Sequence, residues 1–131
     1  MSKLTKADLQ QFTGSETFYR HVFNRAVVYT EGVKFLAEQA KAHWLIDSIA
    51  LLIGSHRFNA AAAKDERIGL IHFWKLAVGN NQTAKLEARA DSPDEPFISE
   101  NIFWTDFPLD EADIWAAHDG DHWTLMLPSE Y

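Results

Sequence analysis

Cysteine is absent from this chain of 131 residues, so a disulfide framework, a thiolate metal site and a cysteine nucleophile are all excluded. Lysine and arginine are absent as well beyond Arg89. Residues 91–131 hold 11 Asp and Glu and no base, whereas residues 1–90 hold all 12 Lys and Arg against 8 acids. The formal charge of −7 therefore joins a basic first part to an acidic last part. Such asymmetry reads either as pairing of the two parts within one fold or as an acidic surface for a basic partner.

Long apolar runs are missing too. A membrane span needs roughly 18–20 uninterrupted apolar residues, and the longest candidate here, residues 44–53, carries Asp47. The first twelve residues are charged and amphipathic where a signal peptide needs an apolar run. The expectation is a cytoplasmic protein without membrane contact. There is no Gly-rich phosphate loop, serine nucleophile elbow or helical metalloprotease motif. Bases such as Lys6, Arg20, Arg25, Lys34 and Arg57 are scattered, and the acid surplus repels phosphate, which argues against direct nucleic-acid binding.

What the chain does have is a long helical stretch, residues 29–53. Between Ala42 and Ile53 only His43, Asp47 and Ser48 are polar, the pattern of a helix buried nearly all round. Thr30 can cap its start, and Val33, Leu36, Ala37 and Ala40 fall on one face. Residues 39–42 are the place for a bend or break, although no Gly or Pro enforces one, so the stretch reads as one long helix or as two. Earlier, Thr5 and Asp8 form a capping box before a short helix, with Leu4 and Leu9 as its staple. Residues 17–29, rich in aromatic and β-branched types, suit one or two short strands. Asn59 is a candidate cap for a helix over Ala60 to Ala63.

From Arg67 the period changes to two. The run to Val78 is apolar on both faces and so reads as a central strand. After the turn at Gly79, Ala84 to Asp91 alternate apolar with charged, a strand with one wet face. Residues 91–96 read as a loop and residues 97–105 as another strand. A hairpin over residues 114–127 turns at Asp119-Gly120. Helices first and strands after predict one α+β domain over residues 1–131: a two-layer fold, with helices packed on a four- to five-stranded, mainly antiparallel sheet.

Three constellations carry candidate chemistry. His118, Asp119, Asp121 and His122 have the composition of a metal site, but a two-residue turn would set His118 opposite Asp121 and Ala117 opposite His122, so that the histidines face opposite ways. No metal or cofactor is expected. His43 and Asp47, spaced i, i+4, are the candidates for a general base and its orienting carboxylate in a small hydrolase or ligand-binding enzyme. No nucleophile is placed near them. Finally Asp106, Asp110, Glu111 and Asp113, together with Trp115 on the hairpin face away from Trp123, suit a partner-binding surface. A non-enzymatic interaction module for a basic or amphipathic protein partner, or for a second copy, is the leading reading.

The blocks TyrThrGluGlyVal at 29–33, HisTrpLeuIleAsp at 43–47, ThrAspPheProLeuAsp at 105–110 and LeuProSerGluTyr at 127–131 resemble a family of small bacterial proteins. That family, carried on chromosomes, plasmids and phages, is known as a domain of unknown function. The resemblance implies a bacterial or mobile-element setting and brings no activity or ligand with it.

Overall fold

Two strands with alternating burial set the architecture. In β3 (Ile71–Val78) and β6 (Glu111–His118), which pair antiparallel from Ile71↔Ala117 to Ala77↔Glu111, every second residue is buried. His72, Trp74 and Leu76 thus share one face with Ala112, Ile114 and Ala116, while Phe73 and Lys75 share the other with Asp113 and Trp115. The computed structural model describes residues 4–14, 16–91 and 93–131. Ser92, within the loop expected over 91–96, lies outside the described residues, as do the first three residues of the segment read against a signal peptide.

Five more strands complete one sheet: β1 (Phe18–Arg20), β2 (Val27–Thr30), β4 (Ala84–Arg89), β5 (Ile98–Ile102) and β7 (Trp123–Met126). Their order is β1-β2-β7-β6-β3-β4-β5, with β2 parallel to β7 and the other neighbours antiparallel. The α+β class holds, but the sheet is mixed and has seven strands, not four or five. The undercount arises at the N-terminal side, where β1 and β2 join the C-terminal hairpin through a pairing between residues nearly a hundred positions apart.

Helices α1 (Lys6–Gln10), α2 (Glu31–Ala40), α3 (His43–Leu52) and α4 (His56–Lys64) complete the fold. Apolar side chains of α2, α3 and α4, among them Leu36, Ile49 and Phe58, bury with the Trp74 face of the sheet. Thr5 and Asp8 form the expected capping box on α1, and Thr30 caps α2 by accepting from the Val33 amide. The long helical stretch breaks at Lys41, which takes a left-handed conformation (φ 52°) while Ala42 N–H donates to the Ala37 carbonyl. A non-glycine residue closes the helix there, at a conformational cost of about 1–2 kcal/mol.

Local expectations shift where a tertiary contact decides. Ser55, not Asn59, caps α4, because the buried Phe58 draws the helix start one turn forward. Residues Glu66–Gly69 form a 3₁₀ turn before β3, and β5 stops at Ile102, leaving Phe103 and Trp104 exposed. The hairpin loop holds four residues, so His118 faces Trp123 and Ala117 faces Thr124. A slip of two keeps every side chain on its expected face.

The C-terminus locks onto the start of α2. Thr30 Oγ1 donates to Glu130 Oε1 at 2.6 Å, the Gly32 amide donates to Oε2 at 3.3 Å, and the Leu127 amide donates to Oε1 at 2.9 Å. A carboxylate at a helix N-terminus is also favoured by the helix dipole. Gly32 has no room to spare: a Cβ there would lie 2.5 Å from Glu130 Oε1 and 2.8 Å from Leu127 Cδ1. Glu130→Ala should therefore cost about 1–3 kcal/mol, the range for leaving part-buried donors unpaired. Gly32→Ala should cost a similar amount by expelling the same carboxylate. Urea denaturation of the two single variants and the double variant checks this: the double should lose clearly less than the sum, and full additivity would refute the clamp.

Candidate functional site

The sheet face opposite α2–α4 carries a cleft of about 850 Å³, formed over β3, β4 and β6. Its floor is set by strand register. Phe73 lies directly across from Trp115 on β6 and from Arg89 on β4, and the Phe73 and Trp115 rings meet edge to face at 5.1 Å. The Tyr131 ring also packs on Trp115, at 5.2 Å. Trp115 is half-buried, so part of its apolar surface is open to the cleft.

The wall on the β4 side is tied down. Arg67 Nη2 donates to Asp94 Oδ2 at 2.8 Å, Arg89 Nε donates to the Asp94 carbonyl at 3.1 Å, and the Asp94 amide donates to the Asp91 carbonyl at 3.2 Å. Held between Asp65 and Asp94, the Arg67 guanidinium keeps its proton more firmly than usual. Within the cleft, Arg89 pairs with Glu87 at 3.0 Å and Lys75 with Asp113 at 3.6 Å. The lining carries five carboxylates, those of Glu87, Asp91, Asp94, Glu95 and Asp113, against the two cations of Lys75 and Arg89.

The expected acidic surface over 106–113 takes a different form. Asp110 and Glu111 meet Lys6 at 3.0 and 3.4 Å, and Lys75 lies 3.6 Å from both Glu111 and Asp113. The Lys6 ammonium holds the Asp110 carboxyl below the usual carboxylate range. Asp106 is exposed, next to Thr105, whose amide donates to the Gln82 carbonyl. Of the five residues expected to bind a partner, the cleft gathers Asp113 and Trp115. Lys6 and Lys75, remote in sequence, thus compensate three of the four carboxylates of this segment.

His43 and Asp47 do not pair. His43, the first residue of α3, is exposed, and Asp47 Oδ1 is bonded instead to Nε2 of His21, at 2.8 Å. His21 is buried and its Nδ1 accepts from the amides of Phe23 and Asn24, at 3.2 and 3.0 Å. That tautomer makes Nε2–H the donor to Asp47. Both ring nitrogens are committed, and none is left to take a proton from a substrate. The general-base arrangement is replaced by a loop anchor, because a buried imidazole needs a partner more than an exposed one does. Nothing in the sequence links positions 21 and 47.

The hairpin histidines are occupied separately. His118 Nδ1 accepts from the Gly120 amide at 3.1 Å, and His122 Nε2 lies 3.3 Å from Asp119 Oδ2. Among the described residues no group of three or more His, Asp or Glu is placed to hold a metal ion, and none of the helices is long and apolar enough to cross a membrane.

Sequence reasoning missed Phe73, Glu87 and Arg89 as cleft residues and Tyr131 as the ring packed on Trp115. Alternation assigned Glu87 and Arg89 to a wet face; only the β4–β3–β6 register brings that face to Trp115.

The class defined by this fold and site is an α+β protein with a seven-stranded mixed sheet, whose open face holds an aromatic cleft. The chain belongs to a family of unknown function (DUF6876), whose model matches residues 3–131. Its structure is similar to the crystal structure of a protein of unknown function from Enterococcus faecalis, with 19% sequence identity over 88% of this chain and 98% of that one and a TM-score of 0.54. At that identity the likeness concerns the fold. No curated protein matches the chain.

One buried group remains. His72 is wholly buried among Phe58, Trp74, Phe97 and Trp123, with Nδ1 on the Ile68 carbonyl at 3.1 Å and Nε2 without a partner. Burial pushes its pKa down from 6.5 to about 4. Between those values the unfolded chain binds a proton that the folded chain refuses, so stability falls as pH drops through this window. At 1.36 kcal/mol per pH unit the loss approaches about 3 kcal/mol. Asp65, Asp110 and Asp119, whose pKa values are lowered from 3.8, lose their contribution at lower pH than His72 does. Denaturation curves at pH 7, 6 and 5 should show the decline in the parent chain and a nearly flat response in His72→Leu.

Proposed function

We propose that the chain acts as one domain and as a non-enzymatic protein-interaction module, and that it binds its partner in the Trp115 cleft. The supporting observation is the Phe73–Trp115 floor on a sheet face that α2–α4 leave open, lined by five carboxylates against two cations. Aromatic anchors in a rigid pocket are where binding energy concentrates at interfaces. The acid excess selects for charge of the opposite sign. The partner is a protein segment with an apolar side chain between basic residues, which keeps the basic or amphipathic partner and moves its place from residues 106–113 to the cleft. A cytoplasmic, bacterial or mobile-element setting belongs to the same reading.

The test is a titration with short peptides carrying Phe between two Arg, against the same peptides with Asp in place of Arg, followed by amide and indole NMR shifts. The basic set should shift the Trp115 indole and the amides of β3, β4 and β6, with saturation. Trp115→Ala should weaken that binding at least about tenfold, as truncation of an interface anchor does. Equal binding of the acidic set, or shifts scattered away from the cleft, would refute the assignment.

A further inference from the structure

Joining β1 to β2 is a short turn that presents bare apolar side chains. Val22 and Phe23 are 78% and 76% exposed, and they lie between Arg20 and Arg25, both exposed. No carboxylate among the described residues pairs with either arginine. The turn is rigid for its size. Besides the His21 bonds to Asp47, Phe23 and Asn24, the Asn24 side chain donates to the carbonyls of Ala50 and Ile53 at 2.8 and 3.2 Å and accepts from the Ala26 amide at 3.1 Å. The His21 amide donates to the Val27 carbonyl and the Val27 amide to the Asn24 carbonyl. This network holds the turn against α3 and leaves its two apolar side chains in water, so much of the ordering cost of binding is met before any partner arrives.

We infer that this turn is the ligand of the Trp115 cleft in a second copy of the chain, with Phe23 and Val22 on the aromatic floor and Arg20 and Arg25 against the acidic lining. The inference rests on the cleft reading above and names its occupant. Complementarity carries it: an apolar pair flanked by two cations matches an aromatic floor lined by five carboxylates, of which Asp94 is held by Arg67, Glu87 by Arg89 and Asp113 by Lys75, while Glu95 is exposed at the rim. The same molecule cannot make the contact with itself. Its turn lies along α3 on the helix side, beyond β7 from the cleft, and the cleft opens on the opposite face. Each copy therefore offers one knob and one cleft, a head-to-tail arrangement that extends beyond a dimer unless it closes into a ring.

Sedimentation velocity of the full chain over a concentration series should show mass rising with concentration, and the rise should weaken at high salt. Phe23→Ser, which removes the knob, and Glu95→Arg, which reverses a lining charge at an exposed position, should each weaken self-association at least about tenfold. Mixed together they should form a 1:1 dimer and nothing larger, because one supplies the only intact cleft and the other the only intact knob. Trp115→Ala serves as a second cleft variant where circular dichroism shows it folded. A parent chain that stays monomeric, self-association untouched by Phe23→Ser, or a mixture that fails to pair would each overturn the inference. Peptide titration of the Phe23→Ser variant separates the two readings: saturable binding there keeps the cleft as a recognition site even when the second copy is excluded as its ligand.

Discussion

The parallel pairing of β2 with β7 is the constraint on which the rest of the fold depends. Because the two strands run the same way, they leave the sheet at the same end, and the segments after them must share that space. Helix α2 comes directly after β2, and a 3₁₀ turn (Pro128–Glu130) comes after β7. The shared space is divided by one carboxylate: Glu130 reaches the first turn of α2, and Gly32 lacks the Cβ that would block it. Two sequence blocks that carried the family resemblance, residues 29–33 and 127–131, are the two sides of this contact. Their distinctive residue types have a structural reason before any functional one.

From that junction the sheet divides by parity. One face takes up the apolar sides of α2, α3 and α4 and becomes dry enough to keep His72 neutral. The other face receives the residues left over from the same alternation: Phe73 and Trp115 with Lys75, Glu87, Arg89 and Asp113. Aromatic and charged side chains come together there because strand periodicity allows nothing else once the apolar set is committed to the core. The cleft is thus a by-product of core formation, sharpened by the anchored loop beyond Arg89.

The Thr5–Asp8 capping box, the Thr30 cap, the central strand and the wet face of β4 were legible because each is specified within a few residues. Face assignment in the hairpin survived an error of two in register for the same reason: parity is local. The parts that were not legible depend on pairs far apart in the chain. The i, i+4 spacing pairs Asp47 with His43, but His21, which is buried and so has more to gain from the bond, takes its place. The strand count fell short because β1 and β2 are four residues or fewer and enter the sheet only through the pairing of β2 with β7. Trp115 was assigned to an outer face, yet Phe73 and Tyr131 beside it come from register and from the chain's end.

The charge asymmetry finds its explanation in the same long-range contacts. Bases of the first part meet acids of the last across the structure: Lys6 with Asp110 and Glu111, Lys75 with Glu111 and Asp113, Arg57 with Glu100, and Arg67 with Asp94. Each exposed pair contributes little to stability, because solvent and salt screen it. Collectively they cancel local repulsion that a segment with 11 acids and no base would otherwise carry. Internal pairing thus absorbs much of the acid on the strands and moves the question of recognition to what it leaves over. Arg20 and Arg25 stand outside it at the rigid turn, and Glu95 is exposed in the lining around Trp115. A protein that neutralises most of its own surface but leaves opposite charges at two separate apolar sites retains the elements of a directional contact, with sign and hydrophobicity specified at both ends.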